Sequence, residues 1–330
     1  MRDKSNERII EEILYVTNSL GFGTVTVYDD LFAARRSKFL NLVDDMKKVG
    51  DILGNTKFLL PNALSVSVMT EDIIDAIEEM GVEYFRVAIE SGSQYTQDNI
   101  ILKRVNLQKC RKILKYMRKK KMPIESNFIL GYPNETKELM KETIDFINSI
   151  DIDWVLIFSA LPLPGTTLFQ EFIDMGVIDE EKFDWDMNRM PLRNFDTPEI
   201  TKEDLAQLVY DTNINSNFFN NSNVKNGRFN RAIKYFNILV LDRYPWHIVA
   251  LYCRGEAYLK MGNKKKADSD FMDCIKFIKS DKRSFNMFQR YSERMSLLNN
   301  LFQDINNYKL HNVEASKAVT VLPTITGDSL

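Results

Sequence analysis

The sequence predicts an α/β domain of parallel strands and crossover helices, followed by an all-α segment. Three observations lead there. Short apolar runs rich in β-branched residues alternate with amphipathic helical patterns up to about residue 165. Strand signals stop past residue 200. A repeat of small and aromatic residues then sets in, Gly227, Ala232 and Phe236 recurring at one constant spacing as Gly262, Ala267 and Phe271.

The strands are read at Thr24–Tyr28, Lys57–Leu60, Tyr84–Glu90, Ile124–Leu130 and Trp154–Phe158. The connections between them are long enough to bring each strand back parallel to the last. One helix opens at Thr70, whose hydroxyl is an N-cap candidate with Glu71 and Asp72 in the first turn. It runs through Ile73, Ile74, Ile77 and Met80 and stops at Gly81. Thr201 opens another, with Asp204 three positions on. After the polar run Asn213–Asn226, Pro245 separates two repeat units, and Gly255 and Tyr258 fall at small and aromatic positions that let paired helices approach. Extra helices from residues 284–308 are expected to support this segment, and the stretch from about Val313 to Leu330 has no periodicity. The domains expected are 1–200, 201–312 and a flexible tail, 313–330.

Composition sets limits on function. Lys and Arg total 44 against 46 Asp and Glu, a net charge of -2, which gives no global electrostatic reason to bind nucleic acid. The first residues carry no apolar signal region, and no run reaches the length of a membrane span, so a cytoplasmic protein without a membrane partner is expected. Cys110, Cys253 and Cys274 are too far apart for a disulfide framework or a metal-ligand spacing and read as buried thiols. Only His247 and His311 are available for imidazole chemistry. Arg118-Lys119-Lys120-Lys121 ends a helix, where cations complement the dipole, and Trp154, Trp185 and Trp246 read as core or groove residues.

In parallel barrels the functional groups gather where the strands end. Those positions here are Asp29-Asp30, Pro61-Asn62, Glu90-Ser91-Gly92-Ser93, the segment from Gly131 to Thr136, and the segment from Leu161 to Thr166. Each alone reads as a cap, a turn or a stiff loop. In succession, Val27–Phe32, Ala88–Gln94, Asn127–Thr136 and Leu161–Thr166 resemble the radical S-adenosylmethionine (SAM) superfamily. More narrowly they resemble its branch of anaerobic magnesium-protoporphyrin cyclases and cobalamin-dependent methylases, over about residues 5–200.

The resemblance implies an incomplete (β/α)6 radical SAM barrel, its strands two to six, followed by a tetratricopeptide-like segment. It implies that Asp29 and Asp30 meet the methionine amino group of S-adenosylmethionine, a task that suits carboxylates. Glu90 and Ser91 stand where the family contacts the ribose and methionine moiety. Ile129 packs on adenine, Gly131 lets the backbone approach, and Leu161 and Pro162 follow the strand whose backbone reads the adenine edge. Tyr28, Phe32 and Tyr132 lie near this site. The first Gly of the family's fifth-strand pattern is Asn127 here.

The cluster ligands of the family, Cys-x-x-x-Cys-x-x-Cys, follow its first strand, and the resemblance places that strand, the cysteine loop and any cobalamin domain before Met1. Three thiolates there hold a 4Fe-4S cluster, which none of the present cysteines replaces. One expectation is therefore a partial radical SAM enzyme, inactive alone and completed by an upstream fragment. A second is a non-catalytic module whose barrel and repeat surface dock a protein partner. An ordinary hydrolase or aldolase ranks below both, since the strand ends offer no His, no Schiff-base Lys and no nucleophile elbow.

Overall fold

Five strands pair in parallel and in sequential order: β1 (Thr24–Thr26), β2 (Lys57–Ser65), β3 (Val82–Glu90), β4 (Glu125–Leu130) and β5 (Trp154–Ser159). The computed structural model describes residues 4–29, 31–54, 56–184 and 193–301. They form two units, one ending at Val209 and the other beginning at Tyr210. The tail expected over 313–330 and the residues Asp30 and Trp185 lie outside the described residues.

Sequential parallel order forces every crossover to the same side of the sheet, because such connections are right-handed. Alternate strand residues accordingly enter one apolar core: Phe58 and Leu60 of β2, Phe85, Val87 and Ile89 of β3, Phe128 and Leu130 of β4, Val155 and Ile157 of β5. They meet Phe39, Leu42 and Val43 of helix Arg36–Lys48 and Ile73, Ile74 and Ile77 of helix Glu71–Glu79. Cys110, Ile113 and Met117 of helix Leu107–Lys119 and Met140, Phe146 and Ile147 of helix Lys137–Ser149 complete the layer. Asn106 and Thr136 cap the last two helices, accepting from the Lys109 and Leu139 N–H groups at 2.8 and 3.4 Å. On the opposite sheet face, low on the strands, Glu125 accepts from Tyr84 Oη at 3.1 Å and Arg86 Nε at 3.3 Å.

Two expectations change. Strand β2 runs on to Ser65, so Pro61 and Asn62 lie inside the strand rather than in a loop beyond it. The register shifts between Leu60 and Leu64, an irregularity compatible with a residue that has no N–H to donate. Thr70 is the N-cap residue of its helix, yet its hydroxyl donates to the Asp72 carboxylate and caps no backbone N–H. Thr201 does cap, accepting from the Asp204 N–H at 3.1 Å.

In the second unit the polar stretch 213–226 is largely helical: it takes in the end of helix Lys202–Ile214 and a short helix at Ser222–Lys225. The recurring residues occupy matching environments. Gly227 and Gly262 have φ of 71° and 76°, Ala232 and Ala267 are both fully buried, and Phe236 and Phe271 both enter the core. Helices Ile248–Lys260 and Lys264–Ser280 pack together through Gly255, where a Cβ would lie 2.7 Å from the Phe271 ring. Arg254 bridges to Asp270 at 2.6 and 2.9 Å. No helix among the described residues is long and apolar enough to cross a membrane.

Strand β1 pairs only with β2 among the described residues. The Val27 N–H donates to Leu59 O at 2.9 Å, so the alternate N–H groups of Thr24 and Thr26 point to the open side. An unguarded edge invites pairing with another chain. Val25 packs on the core, whereas Thr26 is exposed. Thr26→Lys is therefore expected to lower self-association in light scattering without lowering the melting temperature by more than about 2 °C. Equal scattering by the variant and the parent chain would show that the edge does not pair.

Candidate functional site

Because all five strands run the same way, Asp29, Glu90, Gly131 and Leu161 emerge at one end of the sheet. Adjacent strands sit roughly 4.8 Å apart, so this row extends on the order of 14 Å from the end of β1 to the end of β4. Its two halves differ in character.

The β1 and β3 end is acidic. Asp29 is exposed and folds back on its own loop, Oδ1 accepting from the Leu31 N–H at 2.8 Å. It borders a groove of about 850 Å³ whose walls include Ile9, Val16, Val25, Val27 and Phe32. Glu90, the last residue of β3, holds φ at 70°, a left-handed conformation that costs a non-glycine residue roughly 1–2 kcal/mol. Lys103 pairs with its carboxylate. Leu102 and Arg104, on either side of Lys103, are also left-handed, at 52° and 51°. Strain thus concentrates around the Glu90 carboxylate.

Ser91 follows Glu90 at the same strand end, with its hydroxyl engaged behind the row. Its hydroxyl is fully buried, hydrogen-bonded to Thr143 Oγ1 at 3.0 Å and accepting from the Ser93 N–H at 3.1 Å. Gly92 follows against helix Lys137–Ser149, where a Cβ would sit 2.4 Å from that of Phe146. Gln97 closes the turn, donating to the Ile89 and Ser91 carbonyls at 2.7 Å each.

The β4 and β5 end presents apolar side chains. Ile129 packs against the cluster of Tyr132, Ala160, Phe169, Phe172 and Ile178. The Ala160 N–H donates to Leu130 O at 2.8 Å, extending the pairing of β4 with β5 and setting half-buried Leu161 and buried Pro162 beside the Gly131 turn. Gly131 has φ of 81°, a conformation that favours glycine, and a Cβ there would lie 2.6 Å from Leu205 Cδ2, so a larger residue would also have to displace that side chain.

Two charged residues that sequence reasoning did not select as site residues hold this turn. Glu135 is buried, and its Oε2 accepts from the Gly131 N–H at 2.7 Å and the Tyr132 N–H at 3.2 Å. Burial pushes its carboxyl up to about 7, against the opposing pull of these N–H donors, Thr96 and the Arg193 charge. Its place four residues after a glycine that ends a strand was a readable signal. Arg193 is 3% exposed and donates through Nη1 to Gly131 O at 2.8 Å. No pattern in the sequence marks it. Burial lowers its guanidinium to about 10.

Among the described residues no group of three or more His, Cys, Asp or Glu is placed to hold a metal. Cys110 is buried in the core of the first unit, its thiol pushed up to about 12 by burial. Cys253 and Cys274 are buried in the second. None of the three suits a 4Fe-4S cluster, which needs ionised thiolates gathered at one point.

Residues 1–147 match the family model described as the Radical SAM superfamily. The chain is 26% identical over 188 residues to cytidylyl-2-hydroxyethylphosphonate methyltransferase of Streptomyces wedmorensis, an alignment covering 55% of this chain and 34% of that protein. It is 22% identical over 267 residues to anaerobic magnesium-protoporphyrin IX monomethyl ester cyclase of Cereibacter sphaeroides, covering 79% and 39%. A radical S-adenosylmethionine methyltransferase from Kitasatospora setae, solved with cobalamin and a 4Fe-4S cluster bound, superposes with a TM-score of 0.44 at 13% identity, over 49% of this chain and 32% of that one. The chain spans well under half the length of these curated relatives.

Glu135 also makes the turn sensitive to pH. Its folded value of about 7 lies above the ordinary 4.5, so the folded state keeps a proton that the unfolded chain releases. The stabilisation is full below about 4.5 and is lost as pH rises through about 7. Urea unfolding at pH 5 and pH 8 should show that loss in the parent chain and a flatter response in Glu135→Gln. Glu135→Ala, which leaves two buried N–H groups unpaired, should cost about 2–4 kcal/mol at either pH. A Glu135→Gln variant with the parent pH response would assign the dependence to another group.

Proposed function

From the radical SAM match of residues 1–147 we propose that the strand-end row binds S-adenosylmethionine, as part of an enzyme of the methyl-transferring kind found among its relatives. One observation carries this reading: carboxylates stand at one end of the row, and a locked apolar turn at the other. S-adenosylmethionine is elongated, with an ammonium at one end and a flat adenine at the other. Asp29, and Asp30 beside it in sequence, would meet the ammonium, which needs both an acceptor and a counter-charge. Glu90 would exchange Lys103 for the ribose hydroxyls. Ile129 would lie under the adenine, whose edge would meet the backbone at Gly131 and after Leu161 and Pro162.

The described thiols do not fit a 4Fe-4S cluster, so no radical step is derived from this chain. Cobalamin likewise has no assigned ligand here. The row is a cofactor-binding half-site, which an added segment carrying cluster ligands would convert to a catalytic one. For the second unit we read a tetratricopeptide-like repeat open to a protein partner, supported by the matched geometry of Gly227 with Gly262 and Ala232 with Ala267.

Isothermal titration with S-adenosylmethionine tests the row. Weak, saturable binding is expected, reduced about tenfold in Glu90→Gln and similarly in Asp29→Asn, the loss of one charged hydrogen bond in each. Absence of binding, or binding indifferent to both changes, would contradict the proposal.

A further inference from the structure

The peptide unit between Gly131 and Tyr132 is held at both polar ends by buried ionisable side chains. Its N–H, that of Tyr132, donates to Glu135 Oε2 at 3.2 Å, and its C=O, that of Gly131, accepts from Arg193 Nη1 at 2.8 Å. Arg193 has further anchors. Nη2 donates to Thr197 Oγ1 at 3.0 Å and to Ile200 O at 3.1 Å, and the Arg193 backbone N–H donates to Ser159 Oγ, on the last residue of β5, at 3.0 Å. The guanidinium lies 5.9 and 5.4 Å from the ring centres of Phe172 and Phe195. Through its side chain and its backbone N–H, this one residue ties the end of β4, the end of β5 and the turn from Arg193 to Ile200 together.

A left-handed glycine turn has little resistance of its own to rotation of the next peptide plane. Burying an arginine is costly, and simpler residues could fill the space between two phenylalanines. What arginine adds is a rigid planar fork that reaches three acceptors at once, which a lysine ammonium on a flexible stem does not reproduce. We propose that Arg193 is a positioning residue for the adenosyl ligand: with Glu135 it fixes the Gly131–Tyr132 peptide at the end of β4 before the ligand arrives. This rests on the reading of the strand-end row as an S-adenosylmethionine site. Arg193 itself touches the ligand through nothing but this peptide.

The test uses the full chain, S-adenosylhomocysteine as the probe, and the variants Arg193→Gln and Arg193→Lys. Three readouts are taken well below the melting temperature: the dissociation constant, the pH dependence of that constant, and hydrogen exchange at the Tyr132 amide. In Arg193→Gln the affinity is expected to fall about tenfold, and the Tyr132 amide to exchange faster. The pH midpoint of binding should move upward, because the cation that favours ionised Glu135 is gone. Arg193→Lys should keep the midpoint nearer that of the parent while recovering only part of the affinity, and it decides the question should Arg193→Gln fail to fold. A merely structural role would lower the melting temperature and leave affinity and midpoint unchanged in the folded protein, and that result overturns the assignment alone. A parent chain that does not bind S-adenosylhomocysteine overturns the reading of the row and the assignment with it.

Discussion

The parallel pairing of β1 to β5 in sequence order is the constraint from which the rest of the first unit follows. Each strand must be re-entered from the same end, so each crossover helix covers the same face, and that face becomes apolar. The other face stays free for polar groups, such as the Tyr84, Arg86 and Glu125 cluster. The same direction delivers every strand end to one row. Chemistry in that row is therefore a product of topology before it is a product of any single residue.

Strand ends carry a cost that the sheet cannot remove. Where the ladder stops, backbone groups lose their partners, and a buried turn must find others. At β3 the Ser91–Gln97 turn supplies them from its own side chains. At β4 the partners are Glu135 and Arg193, both ionisable and both deep in the protein. Local strain marks the neighbouring position, Glu90, whose left-handed backbone holds its carboxylate at the end of the strand. The row thus combines a strained acidic end with a turn clamped from two sides.

Much of the fold was legible because strand and helix periodicities are local. All five strands were read near their observed places, and β-branched runs such as Thr24-Val25-Thr26 carry that signal in a few residues. The errors arise where local rules meet tertiary context. Pro61 reads as the end of a strand, yet an irregular register keeps it inside β2. Ser91 reads as a neighbour of Glu90 in the site; the structure adds that, past a register shift between Ala88 and Glu90 and a left-handed Glu90 backbone, its hydroxyl is buried against Thr143. Of the residues that hold the β4 turn, Gly131 announced itself by position. Glu135 could have been found as the acid next in the loop. Arg193 could not, since its partners lie at Ser159, Gly131 and Ile200 and no periodicity connects them.

One elongated, adenine-bearing molecule with an ammonium at its far end is proposed to lie along the strand-end row. A crystal structure of the chain soaked with S-adenosylhomocysteine tests this placement most directly. Adenine is expected on Ile129 beside Gly131, ribose at Glu90 and the amino group toward Asp29. Density for the ligand elsewhere, for instance in the groove lined by Val16 and Phe32 with the row empty, would contradict it.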